Sequence, residues 1–461
     1  MAYFGNTVKY QKKPTEPFTI GEGENTYYPP LKIKKSESSY SRNTSSRNYP
    51  ALSVCPGRAS SFAAITTANG IGQRNNQYPH VVDGLVWKRW SGSAWVTVTS
   101  SAMTYSEKGK FLEFNTESDK YTILASEHSN AYSYDGTTAA SMADSPTTRL
   151  YTVDDFRLYA LDDNVLSCSA AGSITDWTTA NDADSITITD MIGDGTAIEA
   201  YNDTIVCWSE NTMHVLYGND PYDFELSNAI EAGCISDRSV VKHGGKLYFL
   251  DFGKLKAYAG GAPYEVSQKV RTYLEGINLT YKELCCAGKD GRYIYLSIPY
   301  GTATANNLTL EYDTETGNWY VRDEAYVDFV NIEGYLYGLT AAGTIYKMNS
   351  GTTNNGTAIS WSWISGVWSD GALSQKKVIG EYWLSLDLPV GSTLSIYYST
   401  TIDGNDFVLL GTFTASATEQ VTRIQVPTFI MYSIDWRRIE FVGTGPCTIF
   451  EIEENLRIKK R

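Results

Sequence analysis

A chain of 461 residues, 42% apolar and 20% charged, is long enough for two or three domains with cores of their own and too apolar for wholesale disorder. Its net charge of −14 argues against coating nucleic acid, which needs Lys and Arg against the phosphates. No apolar run approaches the ~18 residues of a membrane-spanning helix, and MAYFGNTVKYQKK lacks the apolar core of a secretory signal.

The 34 Tyr, 11 Trp, 15 Phe and 38 Gly lean towards strand and tight turn, which predicts an all-β protein. Seven cysteines without a CxxC pair give neither a disulfide framework nor zinc spacing, and imply free thiols in a reducing cytoplasm.

Residues 1–50 are rich in Ser, Asn, Pro and Lys and keep neither period, so they read as an extended basic N-terminal arm, either disordered or ordering on a partner. Residues 1–60 carry nine cations (Lys9, Lys12, Lys13, Lys32, Lys34, Lys35, Arg42, Arg47, Arg58) against four Glu, a balance of +5 that leaves −19 for the rest. That split points to docking between subunits. The arm residues Lys9, Lys12, Lys13, Lys32, Lys34, Lys35, Arg42 and Arg47, with the C-terminal Arg457, Lys459, Lys460 and Arg461, are the candidates.

Over residues 51–350 a short apolar strand, a Gly/Asp/Asn turn and a second strand recur. Central strands fall at Leu85–Trp90, Tyr121–Ser126, Phe156–Leu161, Thr204–Trp208, Lys246–Leu250, Arg292–Leu296 and Tyr335–Leu339, with starts 36, 35, 48, 42, 46 and 43 residues apart. Such a period predicts a β-propeller of about seven blades. The stretch LEYDTETGNWYV (310–321) has the form of a kelch-type blade edge. Val266, Val270, Leu274 and Ile277 keep helical spacing in YEVSQKVRTYLEGI, with Gly276 as a C-terminal stop, predicting one helix on the rim. SGTTNNGTAIS (350–360) reads as a linker. Beyond it, over 351–461, the alternations Ile359/Trp361/Trp363, Leu384/Leu386/Leu388 and Leu394/Ile396/Tyr398 predict a β-sandwich, with turns at Asp370-Gly371 and Asp403-Gly404.

The search for chemistry returns little. None of His80, His128, His214 and His243 has a partner at metal-ligand spacing, and His214 in MHVLYG reads as a packed structural histidine. Gly70-Ile71-Gly72 and Asp194-Gly195 read as turns. The acidic pairs Asp154/Asp155, Asp162/Asp163 and Asp182/Asp184 fall in expected turns, where Asp bonds its own backbone; turn use outweighs glycosidase chemistry there. Asn181-Asp182-Ala183-Asp184 offers at most a weak cation loop. Most tyrosines, among them Tyr159, Tyr201, Tyr248, Tyr295 and Tyr337, sit at strand centres, where packing accounts for them. No catalytic residue, cofactor or metal is expected.

One long stretch, Ser173–Ile277, carries a family resemblance. Its Trp177, Val215, Leu216, Gly218, Phe224, Gly233, Cys234, Ser236, Ser239, Val240, Phe249, Gly253, Tyr258, Gly260, Val266 and Ser267 follow an order similar to that of β-propeller virion proteins of tailed bacteriophages, of the tail-nozzle or stabilisation type. SRNTSSRNYPALSVCPGR (41–58) resembles the strand that opens such propellers, and the C-terminal sandwich resembles their last domain. The first 40 residues depart from the pattern. The resemblance implies a structural protein in a homo-oligomeric ring, most often a hexamer, in the tail or head-to-tail region around the DNA channel. Other tail, adaptor or portal proteins would be its partners. It carries no catalytic residue over. The rival expectation is a receptor- or glycan-binding protein at the tail tip.

Overall fold

The computed structural model describes residues 10–14, 16–116, 119–154, 156–370, 375–416, 420–428, 431 and 434–459. The protein is all-β: seven four-stranded antiparallel sheets follow one another, and two larger sheets are built from both ends of the chain.

Each four-stranded sheet is a blade laid down as a meander. Blade 1 runs Ala68–Arg74, Tyr78–Asp83, Val86–Trp90 and Trp95–Thr99. Blades 2 to 7 open on Gly109–Asn115, Tyr151–Asp154, Gly195–Ala200, Val241–His243, Cys286–Asp290 and Asp328–Ile332. These first strands pack in succession, the fourth reaching the fifth through the turn Asp237–Ser239, and the seventh packs back against the first. The ring therefore closes as a seven-bladed β-propeller. In the seventh sheet the fourth strand is Ala59–Ser60, from before the first blade, and Ser61 N–H donates to Ile345 O at 3.2 Å.

Local chemistry makes these meanders. Inner hairpins turn on residue pairs in the left-handed region, Asn202-Asp203, Gly244-Gly245 and Glu333-Gly334, which matches the twist of the flanking strands. Of the seven anchors from the sequence, six land on second strands of blades. The first lies on the third strand of blade 1, Val86–Trp90, which shortens the spacing that follows it. Gly70-Ile71-Gly72 is not a turn but part of blade 1's inner strand. A Cβ at Gly72 would stand 2.2 Å from Phe111 Cβ, and one at Gly70 would stand 2.5 Å from Gly109 O, so close strand approach needs glycine there. Likewise Gly195 begins a strand, Gly195–Ala200.

The expected kelch-type edge is the hairpin Leu308–Asp313/Asn318–Arg322, with Tyr312 stacked on Trp319 at 4.6 Å and Asp313 Oδ1 accepting from the N–H of Glu315. The expected helix is one 3-10 turn, Gln268–Val270, running into Arg271–Glu275, with Val270 and Leu274 buried.

By internal packing the chain forms two units, residues 60–310 with 324–348, and residues 1–59 with 311–323 and 349–461. These bounds differ from the expected divisions at 50 and 350, because both chain ends enter the same pair of sheets. One sheet runs Thr44–Ser45, Leu52–Val54, Thr448–Lys459, Lys377–Leu388, Val421–Gln425, with Tyr10–Pro14 also paired to Thr448–Lys459. The other runs Ser38–Arg42, Ser360–Ser365, Arg438–Thr444, Thr393–Ser399, Val408–Thr414. Between them lies one core of Trp361, Trp363, Leu384, Leu394, Ile396 and Phe441 among others, with every second residue facing inward as the alternation required.

Residues 16–58 alternate short strands with turns and are built into the sandwich. Polar groups seat the segment: Glu24 Oε2 accepts from Ser41 N–H at 2.7 Å and Oγ at 2.9 Å, and Asn25 Nδ2 donates to Glu37 at 3.0 Å, all within the fold. The expected linker 350–360 forms a small hairpin, Thr353–Asn354/Thr357–Ala358.

Candidate functional site

The inner strands of a closed propeller present one row of N–H and C=O groups to the axis, where no further strand can pair with them. Here a charged cluster answers that need. Asp237–Ser239 forms a single 3-10 turn ahead of blade 5, held by Ser236 Oγ donating to Cys285 O at 2.6 Å and Ser239 Oγ donating to Ser236 O at 2.6 Å. The turn sends Arg238 across the axis. Its guanidinium donates to Asn69 O at 2.6 Å, Gly109 O at 2.8 Å and Val327 O at 3.1 Å, carbonyls of blade 1's and blade 2's inner strands and of the residue leading into blade 7's. One planar fork thereby ties three blades to a fourth.

The counter-charges are as deeply set. Asp328 lies 3.8 Å from Arg238 and accepts from the N–H of Ile71 at 3.0 Å; burial raises its carboxyl pKa, and Arg238 offsets part of that rise. Asp237 accepts from Arg149 Nε at 3.0 Å. Burial opposes its charge, but Arg149, Lys108 and Arg238 together hold the carboxyl far below the usual range. Arg149 also meets Glu127 at 3.2 Å. Lys108 donates to Glu283 O, and burial, with Arg238 nearby, brings its ammonium down to about 8. Lys110 reaches Ile198 O at 3.5 Å in blade 4.

At this end of the axis a cavity of about 560 Å³ is lined by Lys108, Glu127, Arg149, Arg238, Glu283 and Asn306 among others. At the inner-hairpin end a cavity of about 500 Å³ includes Tyr201, Asp203, Lys242, His243, Lys246 and Lys289. There Lys289 donates to Lys242 O at 2.6 Å, and Lys242 pairs with Glu199 at 2.7 Å. Burial and then Lys242 lower the Lys289 pKa. The arrangement hydrogen-bonds carbonyls and pairs carboxylates across the ring, which ties its blades together.

Reading the sequence missed this cluster. Its signal is present in GCISDRSVV, where an Asp-Arg pair sits inside an apolar run too short to expose it, and in Lys108-Gly-Lys110 at the start of a strand.

The docking candidates are placed as follows. Lys9, Lys460 and Arg461 lie outside the described residues. Lys12, Lys13 and Lys459 lie on the paired strands Tyr10–Pro14 and Thr448–Lys459. Lys32 and Arg457 are exposed, and Arg47 is half-buried. The others have partners within their own unit. Lys34 pairs with Glu22 at 2.9 Å. Lys35 meets Glu454 at 2.6 Å and Asp370 at 3.2 Å, and its ammonium lies 3.7 Å from the centre of the Phe18 ring. Arg42 lies 3.5 Å from Asp323 and over the Tyr40 ring. Arg437, fully buried, bonds both Asp370 and Glu454, so Lys35 completes a four-charge network inside the sandwich unit.

The remaining candidates behave as structural residues. His214 is buried, 3.5 Å from Ser227 O. His80 is fully buried, its Nδ1 accepting from the Trp87 indole at 2.8 Å. Asp163 and Asp182 are turn residues with φ of 50° and 71°, and Asp182 bonds Arg157; Asp155 lies outside the described residues. Among the described residues no group of three or more His, Cys, Asp or Glu could hold a metal ion, and no helix is long and apolar enough to cross a membrane. All seven cysteines are buried thiols, none in a disulfide.

No protein-family model and no curated protein sequence matches the chain. Among solved structures it is similar to a chain of the mitotic checkpoint complex, at 8% identity over 76% of this chain and 99% of that one, with a TM-score of 0.43. It is also similar to PorZ, a surface component of the type-IX secretion system of Porphyromonas gingivalis, at 10% identity and a TM-score of 0.43; the match spans 85% of this chain and 62% of PorZ. A third is streptogramin B lyase, at 9% identity over 63% and 95% of the two chains, with a TM-score of 0.41. Likenesses at this level carry no argument about what the chain does.

Proposed function

We propose that the chain is a non-catalytic structural protein of a tailed-bacteriophage virion, assembling as a homo-oligomeric ring, a hexamer by preference, in the tail or head-to-tail region around the DNA channel. One observation carries the reading. The positions through which Ser173–Ile277 resembles the tail-nozzle and stabilisation proteins are the ones this propeller is built on. Gly233, Cys234, Ser236, Ser239 and Val240 form or flank the turn that delivers Arg238 to the axis. A Cβ at Gly233 would stand 1.7 Å from Glu210 O. Trp208 and Phe249 pack together beside Val215 and Tyr258 between blades 4 and 5. These positions form one connected piece of architecture, and that supports the reading.

Two further features fit. A net charge of −14 keeps passing DNA from adhering. Arg238 bridges the propeller's own axis, so DNA in this reading runs through the centre of the ring of subunits and past the propellers. Basic docking is then carried by Lys32, Arg457 and the terminal lysines and arginines, since Lys34, Lys35 and Arg42 are engaged within their own unit.

The test is quantitative mass spectrometry of density-purified particles of a phage whose genome encodes the chain. The expected result is a fixed ratio of six or twelve copies per particle. Its absence from purified particles, with abundance in the infected-cell lysate, would overturn the reading.

A further inference from the structure

The five-stranded sheet of the sandwich unit ends on Val408–Thr414, which pairs among the described residues with Thr393–Ser399 alone. Among the described residues, one row of its backbone N–H and C=O groups therefore has no ladder partner. Natural sheets guard such edges with charge, proline or extreme shortness. The other peripheral strands of the sandwich follow that rule: Tyr10–Pro14 carries Lys12, Lys13 and Pro14, Val421–Gln425 carries Arg423, Ser38–Arg42 carries Arg42, and Thr44–Ser45 has two residues. Val408–Thr414, VLLGTFT, has seven residues with no charge and no proline; its only guard is the bulge at Leu410, where the pairing register shifts, and Val408 and Leu409 are left 52% and 49% exposed.

The outward-facing side chains beside it continue the pattern. Val442, Tyr397, Ser395, Thr393, Thr444 and Thr412 are uncharged, Glu440 opposite Tyr397 is the one carboxylate on that face among the described residues, and Thr412 shares a hydrogen bond with Ser395 at 2.9 Å. Copies of a chain with net charge −14 repel one another over most of their surface. A neutral strand edge is where that repulsion is least, and a second copy offers an equally neutral edge of the same length. Two identical strands set antiparallel about a two-fold axis are self-complementary.

We propose that Val408–Thr414 is a self-association edge, pairing antiparallel with the same strand of a second copy so that two five-stranded sheets become one. This holds independently of the virion reading; within it, such pairs would make the assembly twelve copies in two rings.

The experiment uses the full chain. Because all seven native cysteines are buried, a Thr412→Cys variant presents one accessible thiol. With a short bismaleimide it should cross-link to twice the 51.1 kDa chain mass, while Gln425→Cys, on the opposite sheet's edge, should not. A Leu409→Lys/Thr412→Lys variant, both positions exposed, should halve the solution mass with an unchanged melting curve; Thr412→Lys alone serves if the double variant fails to fold. Monomeric product from Thr412→Cys, equal cross-linking through Gln425→Cys, or an unchanged mass in the folded lysine variant would each overturn the proposal. So would capture of a different virion protein at Thr412→Cys in place of a second copy.

Discussion

Arg238 is the residue on which the propeller's axis turns. Removing its side chain leaves the carbonyls of Asn69, Gly109 and Val327 unpaired and takes a cation from buried Asp328 and Asp237. Arg238→Met should therefore cost about 3–5 kcal/mol, read as a lower urea midpoint. Arg238→Lys should recover only part of that, because an ammonium cannot span three carbonyls in one plane. A midpoint unchanged in Arg238→Met would remove the axial account. His80 gives a second prediction. Burial lowers its pKa from 6.5 to about 3, with Arg74 and Arg89 adding to the effect, and its Nδ1 must stay unprotonated to accept from Trp87. Below pH 6.5 the unfolded chain binds a proton that the folded chain refuses, so stability falls as pH falls, by up to about 1.4 kcal/mol per unit. Between pH 6.5 and 5, above most carboxylate titration, His80→Gln should flatten that slope; equal slopes would show that His80 is not its source.

At the scale of elements, the chain was most legible where a local rule decides structure. Alternation at Ile359/Trp361/Trp363 and Leu394/Ile396/Tyr398 fixes which side of a strand is buried, and all six side chains are buried. The axial cluster was not legible, because the carbonyls Arg238 bonds lie 89 to 169 residues away in sequence and only ring closure brings them together. The basic segment was half legible: its composition predicts extension, but pairings such as Lys35 with Glu454 and Asp370 cross the whole chain. Lys35→Met should cost the sandwich about 1–3 kcal/mol by taking one cation from the Asp370 and Glu454 carboxylates that Arg437 also bonds. It should also raise the Asp370 pKa from about 2, so that acid unfolding begins at higher pH. No loss of stability in Lys35→Met, measured by urea titration at pH 7, would mean that the segment is held by its strands and not by this network. Glycines too small to see as motifs matter equally: Gly233→Ala should destabilise by about 1–3 kcal/mol or more, since its methyl would strike Glu210 O. Thermal melts of that variant decide the point.

For the whole molecule, the charge found inside is spent on internal pairing and the charge outside is mostly negative, an arrangement suited to a component that acts by shape. Both ends of the chain close into the same sandwich, so truncating residues 1–40 would remove the strand Tyr10–Pro14 and the partners Glu24 and Glu37 along with the arm's cations. Point substitutions at exposed Lys32 and Arg457 are the cleaner probe of docking, and Lys32→Glu/Arg457→Glu should weaken assembly most at low salt. The most direct test of the ring is the solution mass of the purified full chain by light scattering, with negative-stain images of the same peak. The account predicts closed rings of six or twelve times the 51.1 kDa chain mass. A single 51.1 kDa species at every concentration and salt, with no ring in the images, would contradict it.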